Sequence, residues 1–489
     1  MILLYNPPSS ANKKPVLPLS LLALGALLEG EHDYAIVDGN LERDPLQKLD
    51  ALIRQERVRI LAVTVMPGPQ LRHAVPLCRQ LKQRHPELTV VWGGYFPTQH
   101  WEVCLRAPYV DYVVRGHGER VFKALVEALS AEQDPTGLAG LAYKIDGEPV
   151  SNPLAPIPHP DELPGFPYAR VPVARYVRHT FMGARTLPHH SSYGCPFFCN
   201  FCAVVNMVNG RWLAQSAGRT AEIVRTLVQR WHLDSVEFLD NNFFTHEARV
   251  VEFAERIHDL RLRWWGEARI DTLLKFSERT WRRIADSGLA MVFLGAESGS
   301  DETLRRMDKG GTATVEKTLE IAGRMRDYGI VPEFSFVLGN PPDPEADTQQ
   351  TLALIRRVKR INPRSEIILY LYTPVPLAGA LYEEARASGF RFPETLEEWV
   401  SPEWQEFSQR RSLTLPWVRD PLRRTVHNFE RVLNAYYPTV TDVKLTRLRR
   451  AILRTLSAWR YHARFYAFPL ELRLLQRLFA YQRPETSGF

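Results

Sequence analysis

Residues 193–202 read YGCPFFCNFC, which places Cys195, Cys199 and Cys202 within eight positions of a 489-residue chain. Thiolates this close together repel one another unless a soft metal centre neutralises them. The stretch therefore predicts a metal site on a short loop.

Two kinds of metal centre fit three clustered thiolates. A structural zinc site needs four ligands, and His189 or His190 would supply the fourth. In a cubane iron–sulfur cluster, three cysteines leave one iron without a protein ligand, which makes the site reactive. The two remaining cysteines, Cys78 and Cys104, fall on predicted helices and are expected to be buried apolar residues. Five unevenly spaced cysteines make no disulfide framework and indicate a reducing compartment, so the cytoplasm is the expected location.

The cysteine loop lies at the start of a regular strand–helix alternation that spans residues 187–389. Six units follow one another, and their strands include SVEFLDNN, WWGEARID, MVFLGAES and PEFSFVLGNP. This pattern predicts a partial parallel (β/α)6 barrel with its chemistry on the loops at the carboxyl ends of the strands. The cysteine loop leaves the first strand at that end.

Residues 1–130 alternate in the same way, with strands ILLYN, YAIVDG, ILAVTV and TVVWGGY. They predict a doubly wound, flavodoxin-like parallel sheet that binds ligands at its carboxyl edge. The apolar run from Leu17 to Leu28 is too short to span a bilayer and lacks a cleavage site, so we expect a buried helix. Residues 131–186 contain nine prolines and little periodicity, which predicts a surface linker.

The motif CxxxCxxC at the end of the first barrel strand, with the aromatic Phe201 before its last cysteine, resembles the radical S-adenosylmethionine (SAM) enzymes. The resemblance implies a [4Fe-4S] cluster whose open iron binds the amino and carboxylate groups of SAM. Reductive cleavage of SAM would then give methionine and a 5′-deoxyadenosyl radical, so that the cofactor carries the difficult chemistry.

Four later segments resemble family motifs in the expected order along the barrel. FLDNNFF ends the second strand, GEARID the third, LGAESGSDETLRRMDKG includes the end of the fourth, and FVLGNP ends the fifth. The SAM contacts that the resemblance implies are Phe201, Asp240, Arg269, Glu297, Ser298 and Gly339.

The first domain resembles the cobalamin-binding domain that precedes the barrel in one radical SAM subgroup. The resemblance rests on its position, on GGYFPT after the fourth strand and on VVRGHGE after the fifth. The chain reads NPPSSANKK where other cobalamin proteins carry a DxHxxG motif, so a bound cobalamin would lack that histidine ligand. The cobalamin contacts implied by the resemblance are Asn6, Pro7, Ser9, Thr64, Val65, Gly93, Gly94, Tyr95 and Gly116.

The chemistry of the subgroup implies methylation of an unactivated carbon on a small or lipophilic metabolite. The scheme needs no protein acid or base, so no catalytic residue is nominated. Members similar to the anaerobic magnesium-protoporphyrin cyclase or to hopanoid enzymes use the radical without methyl transfer, and cyclisation or rearrangement stays open. A non-enzymatic cluster or cobalamin redox sensor is the third alternative, which the retained SAM motifs disfavour. A reductant such as flavodoxin or ferredoxin is the implied protein partner.

Residues 390–489 are predicted to form a helical, basic and aromatic domain. Between Lys444 and Arg483 there are ten Lys or Arg and one acid, Glu471, whereas the whole chain has a net charge of only +7. Because the positive charge is confined to this segment, the sequence argues against a nucleic-acid enzyme with a broad positive face. Two interpretations stay open: a helical cap packed on the barrel with a solvated arginine face, or an interfacial helix on an anionic membrane. The predicted apolar stripe is Leu445, Leu448, Ile452, Leu456, Trp459, Ala463 and Tyr466, with Arg447, Arg450, Arg454 and Arg464 off it.

Overall fold

The structure is a computed structural model, and it describes residues 1–9, 15–377, 379–408, 415–442 and 445–479. It contains one seven-stranded sheet, one six-stranded sheet, a two-stranded ribbon and a helical C-terminal region. The predicted fold class, a doubly wound domain followed by a partial parallel barrel, is confirmed.

The first domain is a sheet with helices on both faces. Its first five strands pair in parallel, and they are almost wholly buried because helices pack on each side. The apolar run from Leu17 contributes a buried helix, as expected. The strands are β1 Ile2–Asn6, β2 Tyr34–Asp38, β3 Ile60–Thr64, β4 Thr89–Gly93, β5 Tyr112–Val114, β6 Leu141–Ile145 and β7 Glu148–Ser151, in the order β2-β1-β3-β4-β5-β6-β7. The helices are α1 Leu19–Leu28, α2 Pro45–Glu56, α3 Pro69–Arg84, α4 Tyr95–Gln99, α5 Trp101–Arg106 and α6 Glu119–Ser130.

Strands β6 and β7 correct the prediction that residues 131–186 form only a linker. β6 pairs antiparallel with β5, and β6 and β7 form a hairpin through Asp146 and Gly147. Both turn residues have positive φ, as a tight hairpin turn requires. An Asp-Gly pair is typical of a two-residue hairpin turn, but the nine prolines of residues 131–186 favoured the prediction of a linker.

The second sheet is the barrel wall, and its six strands are all parallel. Its strands are β8 Thr186–His189, β11 Ser235–Phe238, β12 Arg263–Ala268, β13 Leu289–Glu297, β14 Val331–Leu338 and β15 Glu366–Leu371, in the order β15-β14-β13-β12-β11-β8. β9 Ser192–Gly194 and β10 Trp212–Ala214 form the separate ribbon. The segment LPHHSSYGC, residues 187–195, which includes the first cysteine, is thus divided between β8 and β9 and does not form one strand. The helices are α7 Val204–Val208, α8 Ala217–Trp231, α9 Glu247–Ile257, α10 Ile270–Leu273, α11 Glu278–Asp286, α12 Asp301–Arg306, α13 Val315–Asp327, α14 Pro344–Ile361 and α15 Ala380–Ala387.

The C-terminal region is helical. Of the predicted apolar stripe, Leu445 is buried, Ile452 and Tyr466 are half-buried, and the other four residues are exposed. Helix α19 turns Leu453, Ser457, Arg460 and Tyr461 inward and leaves Trp459 exposed. Hydropathy alone places arginine outside, whereas here Arg460 is buried because its hydrogen bonds are satisfied within the protein. Lys444 and Arg483 lie outside the described residues. The helices are α16 Leu396–Trp399, α17 Pro402–Ser408, α18 Asp420–Tyr436, α19 Arg447–Ala463 and α20 Leu470–Phe479.

Among the described residues, no helix combines the length and the hydropathy that crossing a membrane requires.

Candidate functional site

The cysteine loop lies between β9 and α7, close to the carboxyl end of the first barrel strand. Gly194, just before it, has φ +80°, and a Cβ there would lie 2.2 Å from the Arg211 carbonyl oxygen, so the entry to the loop requires glycine. Within the loop, the Asn200 side-chain amide donates to the Arg306 carbonyl oxygen at 2.6 Å. This contact ties the loop to helix α12 on the fourth barrel unit.

The three thiols suit an iron–sulfur cluster better than a single zinc ion. Among the described residues, the only group of three His, Cys, Asp or Glu side chains with ligand atoms within 4.8 Å of one another is exposed and lies in the first domain. The three sulfur atoms are therefore spread more widely than around one zinc ion, where tetrahedral Zn–S bonds hold sulfurs about 3.8 Å apart. Burial raises the pKa of Cys195 and Cys199, so both are held as protonated thiols until a bound metal displaces their protons.

In the described part of the chain, neither histidine considered as a fourth zinc ligand joins two of the cysteines in a group of three ligand atoms within 4.8 Å of one another. His189 Nε2 is 3.1 Å from Gln215 Oε1, and burial lowers the pKa of this imidazole to about 4. His190 lines a cavity of the first domain. Near the cysteines, Asn242 Oδ1 is buried without a hydrogen-bond partner among the described residues, and Asn242 Nδ2 lies 3.9 Å from Cys195 Sγ. The donor set fits a cluster with one open iron.

Arg269, predicted as a SAM contact, points at the cysteines. Its guanidinium donates to Cys199 Sγ at 3.3 Å, lies 3.7 Å over the Phe197 ring and pairs with Asp271 at 2.9 Å. A second donation, to the Lys309 carbonyl oxygen at 2.6 Å, fixes its orientation. A cation that is hydrogen-bonded to a cluster sulfur stabilises the reduced cluster, so we expect Arg269 to tune the potential of a bound cluster.

Arg269→Met is expected to lower the reduction potential of the reconstituted cluster by roughly 60 to 130 mV. The variant loses a charge-assisted hydrogen bond of about 1.5 to 3 kcal/mol that stabilises the reduced cluster. For a one-electron couple, this free energy corresponds to the stated shift in potential. Redox titration followed by electron paramagnetic resonance measures the shift. Arg279, exposed on α11, provides the matched Arg→Met control and should leave the potential unchanged. Equal potentials in wild type and Arg269→Met would contradict the assignment.

The end of the fourth barrel strand, which carries two predicted SAM contacts, has an irregular backbone. Glu297 has φ +61°, and the pairing of β13 with β14 shifts register there. Positive φ at a non-glycine residue is costly and often marks a functional position. Lys309 Nζ lies 2.8 Å from Glu297 Oε1 and donates to the Gly295 carbonyl oxygen. Ser298 Oγ donates to Asp347 Oδ1 at 2.6 Å. Sequence reasoning missed Lys309, whose partner is set only by the fold.

The other predicted SAM contacts have different surroundings. Asp240 accepts from the backbone and the hydroxyl of Ser191, which holds the segment before the cysteines. Gly339 has φ +75°, and its carbonyl oxygen accepts from Trp417 Nε1. Phe201 packs against a core cluster that contains residues of the first domain, of the barrel and of the C-terminal helices. Asp240, Arg269, Glu297 and Gly339 follow or end successive barrel strands, and their roles toward SAM stay predictions.

Glu267 on β12 is a half-buried acid that was not among the predicted site residues. Burial, with the carboxylates of Asp240 and Glu333 nearby, raises the pKa of Glu267 to about 8. It lies two positions before Arg269, which directly follows the end of β12. The end of β12 therefore carries a carboxyl group that stays protonated at neutral pH.

Glu267→Gln is expected to stabilise the metal-free protein at pH 8 by up to about 4 kcal/mol and much less at pH 5. The unfolded chain releases this proton near pH 4.5, whereas the folded chain holds it to about pH 8, so the wild type loses stability across that window. Thermal unfolding at both pH values measures the difference. Glu132→Gln, at an exposed position, is the control. An equal effect at both pH values would show that protonation is not the cause.

A cavity of about 210 Å³ lies at the carboxyl edge of the first sheet. Helices α1 and α6 and strands β3, β4 and β5 line it, together with His190, Tyr193 and Met207 from the barrel segment of the chain. Glu119 Oε2 and His190 Nε2 are buried there and have no hydrogen-bond partner among the described residues. An apolar cavity with unsatisfied polar atoms fits an elongated ligand with a few polar groups.

Four of the predicted cobalamin contacts, Thr64, Gly93, Gly94 and Gly116, line this cavity. The glycines leave space where side chains would stand, and Gly94 also needs its φ of +100°. Four other lining residues were not predicted. His117 and Glu119 follow the fifth strand, whereas His190 and Tyr193 lie beyond the linker. The remaining predicted contacts, Asn6, Pro7, Ser9, Val65 and Tyr95, lie outside the cavity lining.

Asn6 is held by side-chain hydrogen bonds to two neighbouring residues of the first domain. Its amide donates to Asp38 Oδ1 at 3.0 Å, and its oxygen accepts from Gln70 at 2.8 Å. The Ser9 backbone amide donates to Asn40 Oδ1 at 2.9 Å. This network shapes the loop after β1, and a role of these residues toward cobalamin stays a prediction.

Two family models match the chain at these two sites. A B12 binding domain matches residues 13–126, and the radical SAM superfamily matches residues 190–355, which includes the three cysteines. This chain is a radical SAM enzyme. More narrowly, it belongs to the radical SAM enzymes that carry an N-terminal B12-binding domain, so the resemblance read from its motifs is confirmed. These domains imply a [4Fe-4S] cluster, SAM and cobalamin as cofactors.

Two relatives and one solved structure show the extent of the likeness. The chain is 28% identical to an uncharacterized methyltransferase of Pyrococcus horikoshii, over 73% of this chain and 78% of that protein. It is 27% identical to an anaerobic magnesium-protoporphyrin IX monomethyl ester cyclase of Synechocystis, over 68% of this chain and 67% of that protein. The radical SAM methyltransferase TsrM of Kitasatospora setae, solved with cobalamin and a [4Fe-4S] cluster, shares the fold with TM-score 0.62 at 18% identity, over 79% and 78% of the chains.

Proposed function

We propose that this enzyme methylates an unactivated carbon of a small or lipophilic metabolite. One observation carries the proposal: the cavity of the first domain is lined by His190 and Tyr193, which immediately precede the cysteine loop. The segment that contains His190 and Tyr193 would therefore border both a ligand in the cavity and a cluster on the loop. A bound cobalamin supplies a methyl group, and SAM cleaved at the cluster supplies a radical that removes hydrogen from the substrate.

The residues of the chain have holding and orienting roles in this proposal. The three cysteines bind the cluster, and Arg269 hydrogen-bonds one of its sulfur ligands. The buried pair of Glu297 and Lys309 offers a carboxylate and an ammonium group at the end of β13, where SAM is expected to bind. The glycines of the first domain keep the cavity open for cobalamin. Charged groups that are already paired and buried need little reorganisation when the cofactors bind.

Cyclisation or rearrangement is the second candidate function, favoured by the likeness to the Synechocystis cyclase. It uses the same radical and needs no transfer of a methyl group to the substrate. In either case, we propose a small-molecule substrate and a low-potential reductant such as flavodoxin or ferredoxin. A reducing compartment such as the cytoplasm suits the five cysteines, none of which forms a disulfide in the described part of the chain.

The test uses protein purified without oxygen from cells grown with cobalamin. Reduced protein is incubated with SAM that carries a deuterated methyl group. We expect 5′-deoxyadenosine, S-adenosylhomocysteine and labelled methylcobalamin, detected by mass spectrometry. Radical cleavage without labelled methylcobalamin would overturn methyl transfer and favour the cyclase alternative. Intact SAM in the presence of cluster and cobalamin would favour a sensor.

A further inference from the structure

We infer that the α19–α20 hairpin docks this enzyme on the surface of an anionic lipid bilayer. The described part of the chain exposes eleven large apolar side chains, and eight of them lie between Leu448 and Leu478. On α19, Leu448 is 72% exposed and Trp459 is 54% exposed. Apolar side chains concentrated in one exposed hairpin, rather than scattered singly, mark an interaction surface.

The hairpin is held so that this apolar surface stays outside. Arg460 is buried, pairs with Glu471 and donates to the carbonyl oxygens of Ala467 and Phe468. On α20, Leu472 is the side chain that packs inward. These contacts join the two helices. A rotation that turned the exposed face of either helix inward would break the ion pair of Arg460 and Glu471, whose arginine is buried.

The exposed residues of the two helices form one surface along the hairpin. Leu470, Leu474 and Leu478 recur every fourth residue and are about 60% exposed, so they form one stripe on α20. At the connecting loop, the rings of Trp459 and Phe465 stack at 5.8 Å. At the other end, Arg449 on α19 lies 5.5 Å over the ring of Phe479 on α20. The stripes therefore run side by side from end to end.

The positive charge of the hairpin indicates which kind of surface it binds. Between residues 445 and 479 the only acid is Glu471, and Arg460 neutralises it. Arginines that border an apolar surface attract anionic headgroups, at about 1 kcal/mol for each residue near the bilayer. A second copy of the chain would bring like charges together, which disfavours self-association through this face. The exposed cations are Arg447, Arg449, Arg454, Arg464, Arg473 and Arg477.

The structure changes the residue set expected from the sequence. Arg450 donates to the carbonyl oxygens of Thr439 and Asp442, so it serves the fold. Tyr461 is buried and stacks on Tyr436 at 4.6 Å. The lipid contact is therefore shared between the exposed side chains Leu448, Leu456 and Trp459 of α19, the helix α20 and the connecting loop, where Phe468 is 78% exposed.

Sedimentation with vesicles tests the inference on the full chain, and it uses neither SAM nor substrate, so its outcome is separate from the proposed methyl transfer. Wild type should pellet with vesicles that contain phosphatidylglycerol and stay in solution with pure phosphatidylcholine. The double variant Leu470→Glu/Leu474→Glu and the double variant Arg473→Glu/Arg477→Glu should each reduce the bound fraction about tenfold or more.

Ile145→Glu is the matched control, because Ile145 is exposed on the β6–β7 hairpin of the first domain. It should bind vesicles like wild type, and circular dichroism and iron content should be unchanged in every variant. Wild type that stays in solution with both vesicle types overturns the inference. Light scattering that shows a dimer lost in Leu470→Glu/Leu474→Glu, without vesicle binding by wild type, would assign the face to a second copy.

Discussion

Cys199→Ala is expected to remove the cluster and to reduce SAM cleavage at least about 1,000-fold, because the cluster is the source of the reducing electron. Cys199 is the most buried of the three sulfur ligands, and its sulfur accepts the hydrogen bond from Arg269. Without this ligand, two thiolates cannot hold a cubane, and the buried guanidinium loses an anionic partner. Iron and sulfide analysis, the absorption spectrum and 5′-deoxyadenosine formation measure the result.

The control for this change is Cys104→Ala. Cys104 is also buried, but it lies in α5 of the first domain, and burial raises the pKa of its thiol well above the usual value. It therefore behaves as a small apolar residue, and its replacement should leave the iron content at the wild-type value. Iron retained in Cys199→Ala, or lost equally in Cys104→Ala, would contradict the ligand set.

The features that sequence reasoning predicted are those carried by local pattern. The cysteine loop is a short motif, and the six parallel strands of the barrel each have an apolar run followed by an amphipathic helix. Buried parallel strands need such runs, so the pattern and the fold are tied closely. The strand ends were predicted as ligand sites for the same reason, and Thr64, Gly93, Gly94 and Gly116 indeed line the cavity.

The features that were missed depend on contacts between distant parts of the chain. His190 and Tyr193 reach the cavity from beyond the linker, and Arg269 meets Cys199 across 70 residues. The burial of Arg460 follows from partners in the next helix, which hydropathy does not register. Residue type and spacing contain no information on such partners, because long-range packing decides them.

Gly93→Leu is expected to reduce cobalamin retention about tenfold or more while the cluster and its iron content remain. Gly93 ends β4, and Val91, two residues earlier on the same face, also lines the cavity. A Cβ at position 93 would have its nearest neighbour, the Val114 carbonyl oxygen, at 3.6 Å, so the backbone tolerates the change. The leucine side chain would then occupy space that cobalamin needs, and overpacking of 1 to 3 kcal/mol corresponds to about tenfold or more in affinity.

The same substitution at Gly137 is the control, since a Cβ there meets nothing within 4 Å and the position is exposed. Cobalamin is quantified after anaerobic purification, together with iron and labelled methylcobalamin. Because the cysteine loop is untouched, Gly93→Leu should still cleave SAM to 5′-deoxyadenosine yet form no labelled methylcobalamin. Full cobalamin retention in Gly93→Leu would show that the cofactor does not use this cavity, whereas equal loss in Gly137→Leu would show that the effect is not local.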